Sequence, residues 1–87
     1  MKKILFDNNK NVISEQMKLY RERANISQAQ LAARMQTFGI NIDQQMVSRI
    51  ENNQRQVTDY ELACICRLLD VSTEDMLAGF YKKYKMD

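Results

Sequence analysis

Eighty-seven residues suffice for one domain, and neither a second domain nor a large ligand cavity is expected at that length. Apolar residues make up 45% and charged residues 28% of a chain with no proline and two glycines, which fits a small, soluble, all-α domain. The formal charge of +2 is too small to identify a polyanion binder, and the absence of histidine argues against a mononuclear metal site or a histidine-based catalyst.

Charge is unevenly distributed. Residues 1–26 carry six Lys/Arg against three acids, and residues 27–57 carry three against two. Residues 58–77 then set Asp59, Glu61, Asp70, Glu74 and Asp75 against Arg67 alone, before Lys82, Lys83 and Lys85 make the end basic again. A polyanion would dock on the first two-thirds and avoid the acidic segment. Met1 to Phe6 is too short in apolar residues for a signal peptide or membrane span, and Cys64 and Cys66 read as reduced core thiols, so a cytoplasmic location is expected. Two apart on a helix, these cysteines point about 200° from one another and can neither bond nor share a metal.

In chain order, residues 1–11 read as an N-terminal arm ending in the turn-prone Asp7, Asn8, Asn9 and Asn11. A first helix is predicted from Val12 or Ser14 to Ala24, with Ile13, Met17, Tyr20 and Ala24 on one face and Asn25 as its stop. Ser27 caps a second helix with Leu31, Ala32 and Met35 inward. Asp43 caps a third, which points Met46, Val47 and Ile50 inward and runs to Asn52 or Asn53. Thr58 and Glu61 form a capping box for a fourth, whose core face is Leu62, Ile65, Cys66 and Leu69. Ser72 caps a fifth, from Thr73 to about Ala78. The domain thus spans residues 12–78, and 79–87 form a tail. There Leu77, Phe80, Tyr81 and Tyr84 make an aromatic stripe at helical spacing, suited to a dimer contact or to folding back on the domain. Ile4, Leu5 and Phe6 are able to cover that stripe from within the chain or from a partner.

The third helix carries the functional signal. With Val47 and Ile50 inward, Gln44, Gln45, Ser48, Arg49 and Asn52 are left for solvent. This face is rich in groups that make paired hydrogen bonds: Gln with adenine N6 and N7, Arg with guanine O6 and N7 in the major groove. An ordinary exposed helix more often carries Glu–Lys pairs.

Ser27-Gln28, Leu31-Ala32, Val47-Ser48-Arg49-Ile50-Glu51-Asn52, Arg55 and Leu69-Asp70-Val71-Ser72 with Leu77 together resemble the phage-repressor-like (Cro/XRE-type) helix-turn-helix family over about residues 12–77. The resemblance implies a compact five-helix domain and a sequence-specific DNA-binding transcriptional regulator, expected to be a repressor. It implies base contacts from Gln44, Gln45, Ser48 and Arg49, and backbone contacts from Gln28, Asn52, Asn53, Gln54 and Arg55. It also implies an ion pair between Arg21 and Glu51 joining the first and third helices. Few cations face the DNA, so a homodimer on two halves of a palindromic operator is expected to supply the affinity. No enzyme activity, metal, cofactor, small-molecule ligand or membrane partner is expected. The alternative function is a protein-interaction module on the same scaffold, of antitoxin or anti-repressor type.

One departure from the family spacing is the presence of about five extra residues, Gln36 to Ile40, before Asp43. The second helix is predicted to extend to about Phe38 and to stop at Gly39. Ile40 and Ile42 then tuck under the third helix, and Phe38 packs inward or against the fourth. The rival is a flexible loop after Met35.

Overall fold

Ser27, Asp43, Thr58 and Ser72 each accept a hydrogen bond through the side chain from the backbone N–H three residues on, and each begins a helix. A computed structural model describes residues 5–86 and contains helices α1 (Ser14–Arg23), α2 (Gln28–Gln36), α3 (Gln44–Glu51), α4 (Asp59–Leu68), α5 (Thr73–Met76) and α6 (Ala78–Tyr84). Beyond a single antiparallel bridge between Phe6 and Asn9, no strand pairing occurs among the described residues, so the protein is all-α. Ser27 with Gln30, and Thr58 with Glu61, are reciprocal capping boxes.

Every helix but α5, which runs directly into α6, stops by a shared device. Asn25, Gly39, Asn53, Asp70 and Lys85 all have positive φ, between 54° and 80°. At each, the next residue donates its N–H to the carbonyl five positions back: Ile26 to Arg21, Ile40 to Met35, Gln54 to Arg49, Val71 to Cys66 and Met86 to Tyr81. This is the Schellman closure, in which a left-handed residue turns the chain and satisfies orphan carbonyls. Only one of the five is glycine; asparagine and aspartate tolerate the conformation because their short polar side chains bond locally.

Met17, Leu31, Met35, Ile42, Val47, Ile50, Ile65 and Met76 are fully buried and form one core, with α2 packed on α3 and α4, and α1 on α3. Cys66 belongs to this core and Cys64 is half-buried; both are free thiols, and burial pushes the pKa of each up. Ala24, expected on the inner face of α1, is exposed, because the chain already turns away at Asn25; the buried position on that helix is taken by Arg21 instead.

The C-terminus departs from the expected tail. Residues 78–84 form α6, which follows α5 directly through Leu77, so the helices among the described residues number six and not five. Residue 77 starts α6 without any side-chain cap, which explains why no start signal was legible there. Phe6 folds onto α6, edge-on to Phe80 at 5.7 Å and to Tyr84 at 5.1 Å between ring centroids, and the Tyr84 hydroxyl donates to Asp7 Oδ2 at 2.6 Å. That bond holds the neutral phenol and raises its pKa. Of the three residues expected to cover the aromatic stripe, Phe6 does so from within the chain, while Ile4 lies outside the described residues.

The extra segment before α3 also differs from expectation. α2 proper ends at Gln36, and a tightened turn continues through Thr37 and Phe38 to Gly39 at φ +80°. Gln36 Nε2 donates to the Ile42 carbonyl at 2.7 Å, and Ile42 is buried, so the segment is a built turn rather than a loose loop. Ile40 is half-buried against the core, as expected. Phe38, expected inward, is instead 63% exposed, the largest exposure of any large apolar residue described. The turn closes on Met35 and Gln36, which swings residue 38 away from the core.

Candidate nucleic-acid interface

Asp43 Oδ1 accepts from Met46 N at 2.8 Å and starts α3 at a defined residue, which fixes the rotation of every later side chain. Val47 and Ile50 are buried, and Gln44, Gln45 and Arg49 are exposed on the opposite side. Ser48 is half-buried and its Oγ accepts from Asn52 Nδ2 at 3.3 Å. The four residues expected at base edges thus lie on one eight-residue helix, beside a solvent-facing Asn52.

Glu51 ties this helix to its neighbours. Arg21 on α1 donates through Nε to Glu51 Oε2 at 2.6 Å and through Nη2 to Oε1 at 3.0 Å, a two-pronged pair with both residues under one-tenth exposed. Its third group, Nη1, donates to the Ile26 carbonyl at 2.8 Å, bracing the α1–α2 turn. Gln28, the first residue of α2, donates through Nε2 to Glu51 Oε1 at 3.1 Å. One carboxylate therefore gathers α1, α2 and α3. The hydrogen bond to Glu51 raises the Arg21 pKa against the opposing effect of burial, so the guanidinium stays charged.

Among the five residues expected to hold a nucleic-acid backbone, Gln54 and Asn52 are exposed, Gln28 is half-buried and bonded to Glu51, and Asn53 and Arg55 are engaged inside the fold. Asn53 Oδ1 accepts from the N–H groups of Lys10 and Asn11 at 2.9 and 3.2 Å, and its Nδ2 donates to Asn9 Oδ1 at 2.7 Å. Asn11 Nδ2 in turn donates to the carbonyls of Ile50 and Arg55, both at 2.9 Å, closing the end of α3. Arg55 donates through both terminal nitrogens to Glu61, at 2.9 Å each. Burial alone would raise the Glu61 carboxyl, but the bonds from Arg55 and Thr58 outweigh it and hold it below the usual range. Asn53 and Arg55 thus have structural partners that sequence reasoning missed, because both contacts depend on tertiary proximity.

In their place Lys10 stands at the end of α3, its Nζ 3.4 Å from the Gln54 carbonyl. Arg34 on α2 and Arg49 on α3 are likewise exposed, and neither has an ion-pair partner among the described residues. No group of three or more His, Cys, Asp or Glu among the described residues is placed to hold a metal ion, and no helix there is long and apolar enough to cross a membrane.

Two capped helices tied together by a shared carboxylate, the second presenting amides and an arginine to solvent, form a helix-turn-helix arrangement. A family model described as helix-turn-helix matches residues 17–76. The chain belongs to that family, in its Cro/C1-type, XRE-like group, whose members are DNA-binding regulators and not typically enzymes. No curated protein matches the chain at a significant level.

Proposed function

We propose that this protein is a sequence-specific transcriptional regulator, acting as a repressor, that lays α3 in the major groove of a palindromic operator as a homodimer. The observation that carries the reading is the exposed, acid-free run Gln44, Gln45, Arg49 on a helix whose orientation is fixed by Asp43 and Glu51. Bidentate pairing of such side chains with base edges is worth about 1–3 kcal/mol of discrimination per residue. Gln28, Asn52, Gln54 and Lys10 hold the sugar-phosphate backbone, with Arg34 adding charge. Asn53 and Arg55 contribute there only through what their existing partners leave free.

The homodimer follows from arithmetic on charge. Three cations per chain give a monomer weak non-specific affinity, and a second copy one helical turn away doubles the phosphate contacts. The surface proposed for it is α6, where Leu77, Phe80, Tyr81 and Tyr84 remain only half-buried after Phe6 is in place.

Binding-site selection from random duplex, followed by titration of the selected site, tests the function. The wild type should return a two-fold symmetric consensus. Gln44→Ala and Gln45→Ala should each lose about 1–3 kcal/mol on it and relax preference at one base pair per half-site. No selected consensus, or equal losses on all sequences, would overturn base reading by these residues and favour a protein-interaction role.

A further inference from the structure

The built turn between α2 and α3 presents an aromatic side chain that the fold does not use. Phe38 is the most exposed large apolar residue described, yet its backbone is fixed on both sides. Thr37 Oγ1 donates to the Arg34 carbonyl at 2.6 Å, Gly39 and Ile40 close onto Gln36 and Met35, and the Gln36 amide holds the Ile42 carbonyl. An aromatic ring presented on a rigid turn loses little conformational freedom when it meets a partner, whereas in water it gains nothing.

Its position selects the partner. Phe38 lies five residues before Asp43, the residue that starts α3, so even an extended chain would hold it within about 18 Å, and the turn at Gly39 brings it nearer. The major groove is about 12 Å wide. A turn that precedes the start of α3 by so short a span stays within reach of the groove's edge when α3 enters the groove. Electrostatics agrees: no acid occurs between Glu22 and Asp43, and the Asp43 carboxylate is engaged with the Met46 N–H. An acid-free turn beside exposed Arg34 meets no repulsion from phosphates. In the groove, the apolar group that a phenyl ring can recognise is the thymine C5-methyl.

We propose that Phe38 is a second DNA-reading residue, which packs on a thymine methyl group beside the base pairs spanned by α3. The extra residues of the turn thereby widen the half-site by one read position. The proposal rests on the DNA-reading function given above.

The test uses the full chain and its selected operator, with each thymine replaced in turn by deoxyuridine, which removes only the methyl group. In the wild type one such replacement outside the α3 footprint should weaken binding about fourfold, the worth of one buried methyl. In Phe38→Ala the same replacement should have no effect, while replacements elsewhere act as in the wild type. Phe38→Leu, which keeps an apolar contact, should retain part of the sensitivity. Because the ring is exposed, melting temperatures of the variants should match the wild type, which separates contact from folding. Identical deoxyuridine profiles for wild type and Phe38→Ala would overturn the proposal. So would a uniform loss of affinity in Phe38→Ala with no thymine-specific component. A wild type that selects no sequence would instead bring down the DNA-reading function itself, and this proposal with it.

Discussion

At Glu61, burial and charge oppose one another, and the outcome gives the protein a readable pH response. The carboxyl is held below its usual range by Arg55 and Thr58, so the unfolded chain binds the proton more readily than the folded one. The resulting stability is complete above the unfolded value of about 4.3 and is lost as pH falls through the lower folded value. Glu61→Gln should therefore cost about 2 kcal/mol near neutral pH, where it removes a charge-assisted pair. The gap between variant and wild type should narrow as pH drops from about 5 towards 3. Denaturant melts of both proteins across that range measure it directly, and a pH-independent gap would mean that the ion pair adds nothing beyond shape. The Arg21–Glu51 pair is present in both proteins and cancels in the comparison.

The helices show how far local chemistry reaches. Starts were legible because Ser27, Asp43, Thr58 and Ser72 bond their own first turns, and a contact three residues away is written in the sequence. Stops were less so: Asn25 and Gly39 stand out, but Asn53, Asp70 and Lys85 do the same work with residues equally common on exposed surfaces. The outward face of α3 followed from the spacing of Val47 and Ile50, whereas the Asn53–Asn11 and Arg55–Glu61 contacts depend on tertiary placement and carry no local signal. Phe38 was misplaced for a related reason: hydrophobicity alone favours burial, and only the geometry of the Gly39 turn decides otherwise. That turn is testable. A Cβ on Gly39 would meet no neighbour, so Gly39→Ala isolates the backbone penalty and should destabilise by about 1 kcal/mol. Gly39→Asn should lose less, since asparagine serves at Asn25 and Asn53. A melting temperature unchanged or raised in Gly39→Ala would mean that the turn is not held in solution.

At the scale of the molecule, the cations offered for DNA binding in the proposed function are few. Arg55 is neutralised by Glu61, leaving Lys10, Arg34 and Arg49 as the free cations argued for each copy. A bound dimer would then contact about six phosphates through them, and the logarithm of affinity should fall with that of salt at a slope of about −5. A monomer on DNA would give about −3. Titrations at several salt concentrations, paired with sedimentation of the free protein, distinguish the two, and a slope near −3 would remove the argument for a dimer. The same series on Phe80→Ser should shift towards the monomer value if α6 joins the copies.

The two faces of α3 meet only at Ser48, which is half-buried and bonded to Asn52. Asp43, Val47, Ile50 and Glu51 hold the helix in place, while Gln44, Gln45 and Arg49 touch nothing that the fold requires. Substitutions at these three positions are thus released from selection for foldability, and a lineage carrying this scaffold can change what that face presents without passing through unfolded intermediates. The same partition would let an engineer graft foreign side chains onto positions 44, 45 and 49 and leave the scaffold's own inheritance intact.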